Sequence, residues 1–139
     1  MARIETVLLA TDTSTASAAA ENQAIELAAR LGVRLLVLSV VTGSPTQREA
    51  RQLAVERVVQ RARGGGADAS GLTWSGDAGE SIVEAAEAEA VDLIVVGTHE
   101  RGAVGRLFLG SVSGHVVRHA RCPVMVVRPT RILAPSTTA

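Results

Sequence analysis

A chain of 139 residues with 47% hydrophobic and 20% charged side chains has the size and composition of one globular domain around one core. Its fourteen cations cancel its fourteen anions, which removes the electrostatic ground for duplex nucleic acid or an anionic membrane as the main partner. Every cation is Arg and the only cysteine is Cys122, which excludes a Walker-type lysine loop, a Schiff-base lysine, an intramolecular disulfide and a multi-cysteine zinc site.

Met1-Ala2-Arg3-Ile4-Glu5 leads into a strand without the apolar stretch of a signal peptide. Leu31 to Val41 is too short to span a bilayer and carries Arg34, so the expectation is a cytoplasmic protein with no membrane segment. Thr6 to Ala10 is a short apolar run ending in Thr11-Asp12-Thr13-Ser14, a strand buried on both faces followed by a polar turn. Ala20, Ala24, Leu27, Ala28 and Leu31 fall at helical spacing, and Gly32 stands where a C-terminal cap belongs. Arg34 to Val41 is the second strand, closed by Thr42-Gly43-Ser44-Pro45. The second helix runs from about Thr46 to Arg63, with Val55, Val58, Val59 and Ala62 on one face and the arginines mostly opposite; Gly64-Gly65-Gly66 stops it.

Gly71 to Trp74 is a weak third strand. Asp77 and Glu80, just ahead of Ile82, Val83, Ala85, Ala86 and Ala90, have the spacing of a capping box opening a third helix. Asp92 to Val96 is the fourth strand, a glycine-punctuated loop follows, and a helix from about Gly110 to Ala120 leads to a last strand at Cys122 to Val127. Pro123 is tolerable there only near the strand's start or on an edge. One domain is expected over residues 1–128, with 129–139 as a C-terminal tail. Continuous apolar strands alternating with amphipathic helices predict an α/β fold, a parallel sheet covered on both faces. Ligands of such sheets bind beyond the carboxyl ends of the strands, where strand order reverses.

Two polar signals lie at such ends: Asp12, and the loop from Gly97 to Ser111 that carries Arg101 and Arg106. Backbone N–H groups around glycines approach an anion closely, and the following helix presents unpaired N–H groups at the positive end of its dipole. The chemistry predicted is nucleotide binding. Asp12 reads equally as a ligand of that site or as a cap of the first helix.

Four segments together resemble the universal stress protein family across roughly Thr6 to Val127: Val7 to Asp12; Gly76-Asp77; Asp92 to His99; and Leu107 to Val112 leading to Arg118-His119-Ala120-Arg121-Cys122-Pro123-Val124. The resemblance implies a three-layer α/β/α fold of the adenine nucleotide α-hydrolase kind, with a five-stranded parallel sheet in the order 3-2-1-4-5. It also implies a homodimer through the last strand, Val124 to Val127. One branch of the family binds ATP through a motif of Gly, two residues, Gly, nine residues, Gly, then Ser or Thr. Here Gly97, Gly110 and Ser111 fill three positions at the right spacing, and Glu100 stands at the second glycine.

By resemblance, Asp12 and the backbone at Val40 contact the nucleoside and Gly97 lies near ribose and phosphates. Gly110, Ser111, Val112 and Ser113 hold the phosphates, His99 and Glu100 border them, and ATP comes with or without Mg or Mn. A side chain at a glycine needing positive φ costs on the order of 1 kcal/mol. A carboxylate about 4 Å from a phosphate adds roughly 1 kcal/mol of repulsion per charge in water. Arg101 and Arg106 offset part of this, so binding is expected but weakened. The alternative is a nucleotide-free dimer working through protein partners.

His115 and His119 have a metal-chelating spacing, but no third ligand is apparent, and an exposed helix face is the expectation. Cys122 is expected to be a small buried residue rather than a redox sensor, and Trp74 to serve packing or an interface. No nucleophile with a base and orienting group is placed, so no catalytic residue is assigned; the family allows at most slow ATP hydrolysis.

Overall fold

The computed structural model describes residues 3–98 and 109–129. Its elements are β1 (Thr6–Ala10), α1 (Ala18–Leu31), β2 (Arg34–Val41), α2 (Pro45–Gly64), β3 (Asp68–Ser75), α3 (Ala78–Ala88), β4 (Leu93–Gly97), α4 (Ser111–His119) and β5 (Val124–Val127). The five strands are parallel and ordered β3-β2-β1-β4-β5, so the sheet order that the resemblance implied is the one observed.

Alternation along each strand divides the core in two. Val7, Leu9, Leu35, Val37 and Val95 face α1 and α2, whereas Leu8, Leu36, Leu38, Ile94 and Val96 face α3 and α4. Helix α1 meets the sheet through Ala20, Ala24 and Ala28, all at most 1% exposed, and their short side chains let helix and sheet approach closely. Gly32 ends the helix at φ +67, a left-handed cap where glycine avoids the Cβ penalty. At the amino end of the sheet, Asp92 Oδ2 accepts from the N–H groups of Glu5 and Thr6 at 2.9 and 3.0 Å, tying β4 to the start of β1.

Four details differ from the sequence expectation. A 3-10 turn at Thr15–Ser17 precedes α1. The reciprocal capping box belongs to α2, where Ser44 and Gln47 bond each other's backbone N–H groups; at α3, Asp77 accepts from the Glu80 N–H at 3.0 Å as a simple cap.

Strand β3 is twice the predicted length, because all eight of its residues find partners along β2 despite weak alternation. The arginines of α2 are not a plain solvated face. Arg63 Nε donates to the Ala69 carbonyl at 2.9 Å and Arg48 Nη2 to the Thr73 carbonyl at 2.8 Å, so both clamp the edge strand. Among the described residues no helix is long and apolar enough to cross a membrane.

Candidate functional site

Strand order reverses between β1 and β4, and at their carboxyl ends lies a cleft of about 270 Å³. Seven of the residues singled out in the sequence line it: Asp12, Val40, Gly97, Gly110, Ser111, Val112 and Ser113. His99, Glu100, Arg101 and Arg106 lie outside the described residues. Apolar walls come from Ala10, Val96 and Ile82, and the acidic group among the described lining residues is Asp12.

Asp12 does not cap the first helix, the other role that sequence offered: α1 begins at Ala18 with Ser17 as its N-cap, and the carboxylate instead ties the turn that follows β1. Its Oδ1 accepts from the Ser14 N–H at 2.9 Å and from the hydroxyls of Ser14 and Ser17, both at 2.6 Å. These bonds hold the carboxylate at the cleft. Thr13 sits at φ +62, a left-handed conformation costly for a β-branched residue. Its N–H donates to Thr11 Oγ1 at 2.9 Å and its hydroxyl to the Asp12 carbonyl at 2.6 Å, which fixes the turn.

Behind that turn is a polar network that sequence reading missed. Thr11 donates to Glu21 Oε2 at 2.7 Å, and Glu21, only 5% exposed, pairs with Arg61 at 3.1 Å. Buried Ser39 donates to the Thr11 carbonyl at 2.5 Å and accepts from Arg51 Nη1 at 2.8 Å. Helices α1 and α2 thus brace the end of β1 from the face opposite α3. The available signal was Glu21 itself, a carboxylate at i, i+3, i+7 with Ala24 and Ala28 on the buried face.

The other side of the cleft is backbone. Helix α4 has Gly110 as its N-cap, φ −69 and ψ 174, and among the described residues no side chain caps its first N–H groups. Those donors and the helix dipole favour an anion there. Neither motif glycine is demanded by its dihedral angles or by packing among the described residues. Gly97 and Gly110 both lie outside the left-handed region. A Cβ on Gly97 would meet Ala20 Cβ at 3.5 Å and Val127 O at 3.8 Å; one on Gly110 would meet Ser113 Oγ at 3.9 Å, all ordinary contacts. Thr98, also in the cleft wall and 1% exposed, donates its N–H to the Val127 carbonyl, yet its Oγ1 has no hydrogen-bond partner among the described residues. Leaving a buried hydroxyl unsatisfied costs about 1–3 kcal/mol.

The histidine expectation is corrected in part. His119 is exposed, but His115 is half-buried against α3, where a Cβ on Gly79 would lie 2.9 Å from His115 Cγ. The glycine makes room for the imidazole, and the two histidine rings stand 4.2 Å apart. Trp74 is half-buried and packs against the α3 side of the core.

Cys122 is half-buried rather than buried, and desolvation, then the Asp92 charge, push its thiol above the ordinary value. The neutral thiol is favoured in the fold, opposite to what a reactive cysteine needs. Its folded value exceeds the unfolded one, so its contribution to stability is present below the unfolded pKa and lost as pH rises through the folded one. Native protein at pH 8 is expected to react with iodoacetamide more slowly than the urea-unfolded chain, as mass spectrometry of quenched time points would report.

The family model for the universal stress protein family matches residues 3–128. The chain belongs to the universal stress protein family. A universal stress protein of Thermus aquaticus is 40% identical over 139 residues, covering 89% of this chain and 98% of that protein. The crystal structure of a universal stress protein in complex with cAMP superposes with a TM-score of 0.76 at 27% identity, covering 93% of this chain and all of that one. A universal stress protein of Arabidopsis thaliana with AMP bound gives a TM-score of 0.66 at 24% identity, covering 96% and 97% of the two chains, a likeness of fold. This universal stress protein therefore shares its architecture with adenine-nucleotide binders.

Proposed function

We propose that the cleft binds an adenine nucleotide, with the nucleoside toward Val40 and Asp12 and the phosphates toward Gly97, Gly110, Ser111, Val112 and Ser113. The observation that carries this reading is the pair of motif glycines. Neither dihedral angles nor packing among the described residues requires glycine at these positions, and close approach of a ligand to the backbone accounts for it. Binding of cAMP and AMP by structural neighbours supports the same class of ligand.

ATP is the nucleotide the motif favours. Among the described residues no three His, Cys, Asp or Glu side chains cluster to hold a metal. Mg or Mn would therefore arrive on the phosphates, with Asp12 as the carboxylate facing it. The role proposed is a cytoplasmic stress-response binding or signalling module over residues 1–128, with slow ATP hydrolysis at most. The half-buried edge strand β5 supports a homodimer through Val124–Val127.

Calorimetric titration of the nucleotide-stripped protein with AMP, cAMP and ATP, with and without magnesium, tests the reading. Binding at micromolar to sub-millimolar ligand is expected, and no heat at millimolar ligand overturns it. Glu100, at the motif's second glycine position, favours a second reading, a nucleotide-free dimer acting on protein partners. Glu100→Gly separates the two. It is expected to tighten nucleotide binding severalfold, since removing a nearby carboxylate recovers roughly 1 kcal/mol or more of repulsion; an unchanged titration favours the partner-binding role.

A further inference from the structure

We infer that Thr98 is a positioning residue of the cleft, whose hydroxyl donates to a phosphate oxygen of the bound nucleotide; the inference rests on the nucleotide reading above. The first observation is the orphan itself. Thr98 lines the cleft, is 1% exposed, and among the buried side chains of the described residues its Oγ1 is the atom left without a partner. Valine has the same shape and no polar atom to strand, and β4 uses valine at Val95 and Val96 just before this position. A hydroxyl kept where an isosteric methyl would be more stable is one awaiting a partner.

The second observation is topology, which decides the part of the ligand it meets. Along the cleft the carboxyl ends run from β2 with Val40, through β1 with Asp12, to β4 with Gly97 and Thr98. The uncapped start of α4 lines the same cleft with Gly110, Ser111, Val112 and Ser113. An anion is drawn to that helix start, so the phosphate of a ligand laid across the strand ends falls at the β4 and α4 side. There a buried donor gains most from a charged acceptor.

The test compares wild type, Thr98→Val and Thr98→Ser by titration with AMP and with adenosine, alongside thermal melting without ligand. Thr98→Val is expected to weaken AMP about tenfold, the usual worth of a hydrogen bond to a charged group, and to leave adenosine within twofold. Thr98→Ser is expected to keep AMP within about threefold. The unliganded Thr98→Val protein is expected to melt about 3 °C higher, since it no longer buries an unpaired hydroxyl.

Unchanged AMP affinity in Thr98→Val, equal losses for AMP and adenosine, or a lower melting temperature of the unliganded variant would each overturn the inference. Wild-type protein that binds neither ligand overturns the nucleotide reading and this inference with it. Wild-type binding with an indifferent Thr98→Val variant overturns this inference alone.

Discussion

Gly110→Asp is expected to make the protein slightly more stable and to weaken AMP binding at least about 100-fold. Gly110 is the N-cap of α4 in extended geometry, its missing side chain leaves the helix start uncapped, and a Cβ there meets nothing closer than 3.9 Å among the described residues. Aspartate is among the best N-caps, and its charge suits the positive end of the dipole. About 0.5–1 kcal/mol of added stability is expected, read as a melting temperature higher by about 2–4 °C.

The same carboxylate would occupy the place proposed for a phosphate. At about 4 Å the repulsion is roughly 1 kcal/mol per charge in water and about 4 kcal/mol at an effective dielectric of 20. With nearly two charges on the phosphate, about 3 kcal/mol is a modest figure, and it corresponds to two orders of magnitude in affinity. Gly110→Asn supplies the control, since it caps as well without charge. Stability rising while binding collapses is difficult to obtain unless the helix start is a phosphate site; undiminished AMP binding in Gly110→Asp would place the phosphate elsewhere.

Leu8→Ala is expected to cost about 3 kcal/mol, the largest effect on stability among the substitutions considered. Leu8 is fully buried at the middle of the central strand, paired with Leu36 on one side and Ile94 on the other, and packed within the cluster containing Ile82, Ala85 and Val116. Because β1 is hydrogen-bonded along both edges, the backbone cannot collapse into the space left behind, so transfer and cavity costs add. Against a typical total of about 5–15 kcal/mol, the variant should still fold but melt about 10 °C lower. Leu53→Ala is the contrast, as Leu53 is 64% exposed and should change stability by less than about 0.5 kcal/mol. Equal melting temperatures for the two variants would contradict the assignment of β1 to the core.

The strands β1, β2 and β4 were legible because residues buried on both faces must be apolar throughout, and the cleft followed from where such strands end. Strand β3 was partly illegible for a physical reason. Edge pairing tolerates Asp68, Ser70 and Gly71, and the strand is held by pairing to β2 and by arginines 6 and 25 residues distant, neither of which leaves a periodic trace. The spacing of Asp77 and Glu80 marks a helix start but does not make the bond reciprocal, while Ser44 and Gln47, on either side of the expected helix start near Thr46, form the reciprocal pair. Glu21 shows the limit most clearly. A carboxylate among alanines signals a buried partner, but Arg61 and Thr11, 40 and 10 residues away, are named only by the fold.

The two margins of the sheet are chemically unequal. On the β3 side, guanidinium groups of Arg63 and Arg48 already occupy the Ala69 and Thr73 carbonyls, whereas β5 ends the sheet on the other side with four half-buried residues. In the proposed homodimer, edge pairing would use the β5 side. An assembly of that kind would close after a single partner had joined, forming a pair rather than lengthening into a fibre.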